Sequence, residues 1–238
     1  PYEQVLADVR ARLMEGAREV VLSGVNIGAY GRDLAAERSH PTLATLVESL
    51  LDETDVPRLR LSSLEPWDLD ADLLALWPHP RLCRQLHLPL QSGDDIILRA
   101  MRRRYSTACY RALLEYAAGK LGRVGLGADV IAGFPGEDAD SFERTRAFVV
   151  SLPLSRLHVF EYSIRPGTDA AGMPGHVSAA ERKRRVSELI RIAVPPDPGL
   201  RAVSSAGRFR SLSRILRPPA MAEAGRASMC ACAFPVRA

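Results

Sequence analysis

Hydrophobic and polar positions alternate along this chain between two periods. Val5, Leu6, Val9 and Leu13 recur at helical spacing and Gly16 stands where a C-terminal cap belongs, predicting a helix over 2–15. Glu19-Val20-Val21-Leu22 then reads as a short buried strand that runs into Ser23-Gly24-Val25-Asn26. Pro41 suits the first turn of a second helix striped by Leu43, Leu46, Val47, Leu50 and Leu51. Further strands are predicted at 59–62, 82–90, 124–131 and 157–162. Further helices are predicted over 69–76, from Asp94 or Asp95 through Ile97, Leu98 and Met101, from Thr107 to Ala118 with Gly119 as its stop, and along Phe142, Thr145, Phe148, Val149 and Leu152. Pro66 is expected to stop a helix, and Ser178 with Glu181 gives a capping-box signal for a last helix bearing Val186, Leu189 and Ile190.

Strands and helices alternating at intervals of about thirty residues are the mark of successive βαβ units, and so of an α/β fold with a parallel sheet or barrel. After Ala193 the periodicity stops. Residues 195–238 mix Pro, Ser, Arg and Ala without pattern and are expected to form a mostly disordered tail. The expected domains are therefore a core over 1–193 and an irregular tail over 194–238.

Composition narrows the class. With 238 residues the chain can bury a full core, and 47% hydrophobic with 25% charged residues fits a soluble globular protein, since no apolar run is long enough to span a bilayer. A cytoplasmic location is expected. The net charge of +4 permits an RNA partner without requiring one. Cys83, Cys109, Cys230 and Cys232 show neither a CxxC pair nor zinc spacing, so Cys83 and Cys109 read as buried thiols and no metal set is expected. His87 and His158 read as packing residues. The chain begins at Pro1, as though partway through a longer polypeptide.

Chemistry gathers at strand ends. Ser23 to Asn26, Ser62 to Glu65, Gln91 to Gly93, Asp129 to Glu137 and Tyr162 to Thr168 each follow a predicted strand, where α/β folds place their ligands. Glu65 suits a ligand ammonium, Gln91, Ser92 and Asn26 suit hydroxyls or a carboxylate, and Gly133 and Gly136 would admit a ligand close to the backbone. Asp129 is a carboxylate inside an apolar strand, which is costly unless paired. Each cluster also has a plainer use as a cap or a turn. Arg99 and the run Arg102-Arg103-Arg104-Tyr105 read equally as a phosphate-binding patch or as a solvated helix end.

Five pieces in order, Leu22-Ser23-Gly24-Val25-Asn26-Ile27-Gly28, Arg60-Leu61-Ser62-Ser63-Leu64-Glu65-Pro66, Leu88-Pro89-Leu90-Gln91-Ser92-Gly93 with Met101 to Tyr105, Asp129 to Glu137, and Tyr162 to Thr168, resemble the radical S-adenosylmethionine methylthiotransferases over about residues 2–193. Within that family they look most like the bacterial branch acting on threonylcarbamoyladenosine beside the tRNA anticodon. The isopentenyladenosine and ribosomal-protein aspartate branches are the near alternatives.

The resemblance implies an incomplete parallel (β/α) radical-SAM barrel lacking its first strand. The implied cofactors are S-adenosyl-L-methionine and a 4Fe-4S cluster held by a CxxxCxxC loop. That loop does not occur in this sequence. The chain alone is therefore expected to be inactive, and no catalytic residue is assigned. By the same resemblance Ser23, Gly24 and Asn26 would meet the methionine amino group, Gln91 and Ser92 the ribose, and Ile131 to Gly133 the adenine. Ser63, Glu65 and Asp129 complete the expected cofactor-binding set. Arg102, Arg103, Arg104 and Tyr105 are the expected RNA contact, and the implied partner is the tRNA anticodon stem-loop, with neither DNA nor membrane.

Two departures stand out: Asn26 occupies a position where many radical enzymes carry glutamate, and Glu137 lies one residue beyond the usual glycine-to-glutamate spacing. The tail does not resemble the family's C-terminal RNA-binding barrel, and its composition suits translation in a shifted frame. A non-catalytic RNA-binding remnant and an unrelated α/β-barrel enzyme are the other readings.

Overall fold

The computed structural model describes residues 1–32 and 41–192, so the predicted tail, with Cys230 and Cys232, lies outside the described residues. The elements run α1 (Tyr2–Met14), β1 (Val20–Leu22), α2 (Leu43–Glu53), β2 (Leu59–Leu61), α3 (Ala71–Ala75), β3 (Gln85–His87), α4 (Asp95–Ala100), α5 (Thr107–Leu121), β4 (Gly125–Ala132), α6 (Ala139–Val150), β5 (Arg156–Glu161) and α7 (Ala179–Ile192). Helices and strands alternate as their periodicity predicts. No described helix is long and apolar enough to cross a membrane.

The described chain forms two compact units, one from residues 1–32, 41–89 and 117–127, the other from 90–116 and 128–192. In the first unit β1 runs parallel to β2, with Leu22 opposite Leu61, and Leu59 bridges in parallel to Leu82. β3 runs parallel to the start of β4, Gln85 to His87 facing Gly125 to Gly127. Val20, Leu22, Leu59, Leu61 and Leu86 of the strands are buried, as are Val47, Leu50 and Leu51 of α2 and Leu73 of α3, and together they supply the apolar core of this unit. Parallel pairing of short apolar strands separated by helices makes this an α/β fold.

On the other face of β2, Arg60 and the neighbouring Arg58 close on Glu19 at 2.6 and 2.8 Å. Burial works against that carboxylate, yet the two guanidiniums hold it below its ordinary pKa. Cys83 is buried beside this group, and burial raises its thiol, as the inert reading requires.

Several local expectations shift for identifiable reasons. Pro41 precedes α2 rather than opening it, because Thr42 accepts the Thr45 N–H and closes a capping box. Pro66 begins a 3-10 turn over Pro66–Asp68 instead of stopping a helix. Gly119 lies within α5, which ends two residues later, where Gly122 takes the left-handed φ of 62° and bonds to Ala118. The predicted strand over 82–90 keeps only Gln85–His87 as ladder, with Leu82 and Gln91 as isolated bridges. Ser178 Oγ accepts the Glu181 N–H, but the Glu181 carboxylate turns to Arg184 and Arg185. Those two arginines pull its pKa from 4.5 to about 2.

Candidate functional site

In the first unit the ends of β1 and β2 are tied by the Ser62 N–H bond to the Leu22 carbonyl, 2.9 Å, and the chain beyond β2 is tied to β3 by Leu64 N–H to His87 O, 2.9 Å. Ser23, Gly24, Ser63 and Glu65 are thereby brought to neighbouring strand ends. Ser23, Gly24 and Glu65 are half-buried and Ser63 is exposed. Asn26 is exposed in the loop that follows β1, and its carbonyl starts the 3-10 turn Ile27–Ala29 by accepting the Ala29 N–H.

Two contacts anchor that loop. Ile27 is buried, and Gly28 presses on Asp68 so closely that a Cβ there would overlap the Asp68 side chain. Asp68 is itself buried and paired to Arg32 at 2.5 Å. The glycine is needed for close approach, while Ser23 to Asn26 stay on the rim.

In the second unit the Leu90 and Gln91 N–H groups both donate to the Asp129 carbonyl, at 3.1 and 2.7 Å, and the Ile131 N–H returns to Gln91 O at 2.9 Å. The extra residue is a bulge, and it puts Gln91 at φ 66°. Ser92 N–H bonds back to Leu90 O at 2.8 Å, closing a three-residue turn around Gln91. A positive-φ turn of this kind on a side-chain-bearing residue is strained, by about 1–3 kcal/mol. Gln91 is buried, and its side-chain amide makes no hydrogen bond among the described residues.

The sequence points Ser92 toward a ligand, and the structure commits it elsewhere. It is 1% exposed, lies 3.2 Å from Thr145 Oγ1, and accepts the Asp94 N–H. Gly93 also bonds to Thr145, and a Cβ there would sit 2.8 Å from both Phe148 Cβ and Thr145 Cα. Asp94 caps α4 and takes Arg144 from α6. Most of the Gln-Ser-Gly-Asp run therefore fastens the loop to α6, leaving Gln91 as its one uncommitted side chain.

Asp129 is partly exposed rather than fully buried, and its carboxylate lies 3.3 Å from His158 Nδ1 on β5. Alternation along β5 could have placed His158 on this face, since Leu157 and Val159 point the other way.

Gly133 takes φ 81°, and its N–H is held by the Glu137 carboxylate. Gly136 takes φ 84° in the same turn, and the Glu137 N–H closes it on Phe134 O at 3.0 Å. The turn from Gly133 to Glu137 thus holds two left-handed glycines. Glu137 is buried together with Arg185 of α7, whose Nη1 lies 3.3 Å from its carboxylate and 2.7 Å from its carbonyl. Arg185 also bonds Glu181 at 2.9 Å and lies over the Phe142 ring at 5.2 Å. Burial holds the Glu137 carboxyl above its ordinary pKa, against the opposing pull of the Gly133 N–H and Arg185.

Sequence reasoning misses Arg185. It falls beside Val186 and four residues before Leu189, on the apolar stripe of an otherwise charged helix, and that is the available signal.

The basic run follows α4 in a Schellman turn: Arg103 N–H reaches Leu98 O and Arg102 N–H reaches Arg99 O, both 2.9 Å, with Arg102 at φ 57°. Arg102 and Arg104 are exposed, and Arg102 pairs with Asp169 at 2.5 Å. Tyr105 is half-buried, its hydroxyl bonded to Leu90 O and its ring 6.0 Å from that of Tyr110.

A model of the radical SAM superfamily matches residues 1–149. The chain is similar to a threonylcarbamoyladenosine tRNA methylthiotransferase of Rickettsia prowazekii, 38% identical over 191 residues that cover 79% of this chain and 44% of that protein. It is also similar to a tRNA-2-methylthio-N(6)-dimethylallyladenosine synthase of Carboxydothermus hydrogenoformans, 36% identical over 191 residues, 80% of this chain and 43% of that protein. The chain therefore spans less than half the length of these relatives. Among solved structures, coproporphyrinogen III oxidase of Escherichia coli shares the fold at a TM-score of 0.52 and 21% identity, covering 62% of this chain and 36% of that one.

S-adenosyl-L-methionine and a 4Fe-4S cluster are the cofactors of the radical SAM methylthiotransferases. The residues present fit the two unequally. Gln91, strained and with an uncommitted amide at a strand end, suits a nucleoside hydroxyl. The cluster finds no thiolate set among the described residues, since Cys83 is buried beside Glu19 and the arginines, Cys109 is half-buried and disulfide-bonded rather than the buried thiol expected, and the sequence holds no CxxxCxxC.

Proposed function

Because the chain belongs to the radical SAM superfamily, we propose that it is the core portion of a tRNA-modifying methylthiotransferase, with its strand ends serving S-adenosyl-L-methionine. The observation that carries this reading is Gln91: its side chain is held in a strained turn and makes no hydrogen bond among the described residues, which leaves its amide available to a ligand. Ser23, Gly24, Asn26, Ser63 and Glu65 are the polar groups the first unit offers, and Asp129 and Gly133 those of the second. The finer assignment is the threonylcarbamoyladenosine branch, supported by the form of Gly24 to Gly28 and of Phe160 to Thr168. Relatives of both adenosine branches match almost equally, at 38% and 36% identity.

Titration with S-adenosylhomocysteine, the stable nucleoside product analogue, tests the first part. Saturable binding weakened by Gln91→Ala supports it, and binding indifferent to that change overturns it. Anticodon stem-loops carrying either threonylcarbamoyladenosine or isopentenyladenosine test the second, and tighter binding of the isopentenyl form would reassign the branch. Arg102, Arg103 and Arg104 are proposed to meet the RNA backbone, Arg102 exchanging Asp169 for phosphate. Arg104→Ala should lower affinity alike for both stem-loops and reduce the salt slope by about 1. This chain is expected to bind the nucleoside without cleaving it, and 5′-deoxyadenosine formed after anaerobic reconstitution with iron and sulfide would refute that expectation.

A further inference from the structure

We propose that Tyr105 is a positioning residue for Gln91 and does not stack on RNA. The inference rests on the reading of Gln91 given above and deepens it.

A positive-φ turn persists at a side-chain-bearing residue only when its surroundings over-determine it. The turn around Gln91 has one acceptor, the Leu90 carbonyl, which takes the Ser92 N–H at 2.8 Å. Leu90 is fully buried, so its carbonyl's second lone pair lies out of reach of bulk water. The Tyr105 hydroxyl fills that place at 3.0 Å from fifteen residues away.

The Tyr105 ring is held in turn. It lies 6.0 Å from the ring of Tyr110, which is fully buried in α5, and the Thr107 N–H between them is fixed by Asp95 at 2.7 Å. The Schellman turn at Arg102 aims the chain from α4 toward this spot, at the cost of a left-handed arginine. The Met101 to Tyr105 run thus has a second use besides charge: it delivers one hydroxyl to the back of the strained turn. A phenol engaged in this way has its polar end committed inward.

Tyr105→Phe isolates the idea, because it keeps the ring and removes only the hydroxyl. In the ligand-free full chain, amide exchange at Gln91 and Ser92 should speed up about 3- to 10-fold, the worth of one hydrogen bond, while Leu113 and Leu114 of α5 stay unchanged. Affinity for S-adenosylhomocysteine should fall by a similar factor. Gln91→Ala should then cost less when combined with Tyr105→Phe than it does in the native chain, as coupled residues require. Anticodon stem-loop affinity should not change.

Unaltered exchange at Gln91 and Ser92 would overturn the proposal whether or not any nucleoside binds. Faster exchange with binding indifferent to Gln91→Ala would reject the ligand reading of Gln91 and, with it, the functional half of the proposal. A Tyr105→Leu chain that loses RNA affinity without changing exchange at Gln91 would return Tyr105 to the RNA surface.

Discussion

The strand ends of the two units solve the same problem in different ways. In the first, no residue from Ser23 to Gly28 or from Ser62 to Asp68 takes a left-handed dihedral, and Asn26 and Ser63 stand exposed. In the second, Gln91, Gly133 and Gly136 all do, and their neighbours are spent on holding them there. A relaxed, exposed rim can move to meet a ligand at little cost, whereas a strained and braced turn presents its groups in one geometry. The difference teaches where mutations should damage the fold and where they should damage only binding.

The strongest way to break the contrast is at the brace. Arg185→Gln leaves Glu137 buried without its cation and should destabilise the second unit by about 3–5 kcal/mol, read from the urea midpoint. A loss under about 1 kcal/mol would show the turn to be self-supporting.

Next comes Gly133→Ala, which meets both an unfavourable φ of 81° and the Arg182 side chain. It should cost about 1–3 kcal/mol, while Gly136→Ala, at φ 84° with open space around it, should cost only about 1 kcal/mol. Equal losses would show that Arg182 simply moves aside.

A smaller effect is expected from pH. The folded chain holds a proton on Glu137 more tightly than the unfolded chain does, because burial raises its pKa above 4.5. The stability this provides is complete below the unfolded value and is lost as pH rises through the folded one. Glu137→Gln cannot titrate, so the advantage of the native chain over it should shrink between pH 4.5 and neutrality; an advantage that grows instead would show Arg185 outweighing burial. Least affected should be Asn26→Ala and Ser63→Ala, each within about 0.5 kcal/mol in stability. Any larger loss would mean that the first rim is also braced.

Much of the architecture is legible because it is written locally. The α1 and α2 stripes, the Asp94 cap and the alternation of strand with helix depend on spacing within a dozen residues, and the structure keeps them. Boundaries fail where two residues of the same kind compete. Gly119 and Gly122 both suit a cap, and only the second falls where α5 runs out. The strand-end motifs are legible as motifs but not as roles. Ser92 looks like a ligand donor until Thr145, fifty-three residues on, is seen to take it.

The order of apolar and polar residues alone determined that this chain alternates strands and helices and that clusters of polar and glycine residues follow the strands, since both follow from near-neighbour periodicity. Only the tertiary structure decided which of those polar residues remain to act. A side chain is spent or spared by partners tens of residues away, as Glu137 is by Arg185 and Ser92 by Thr145, and no local pattern encodes that meeting.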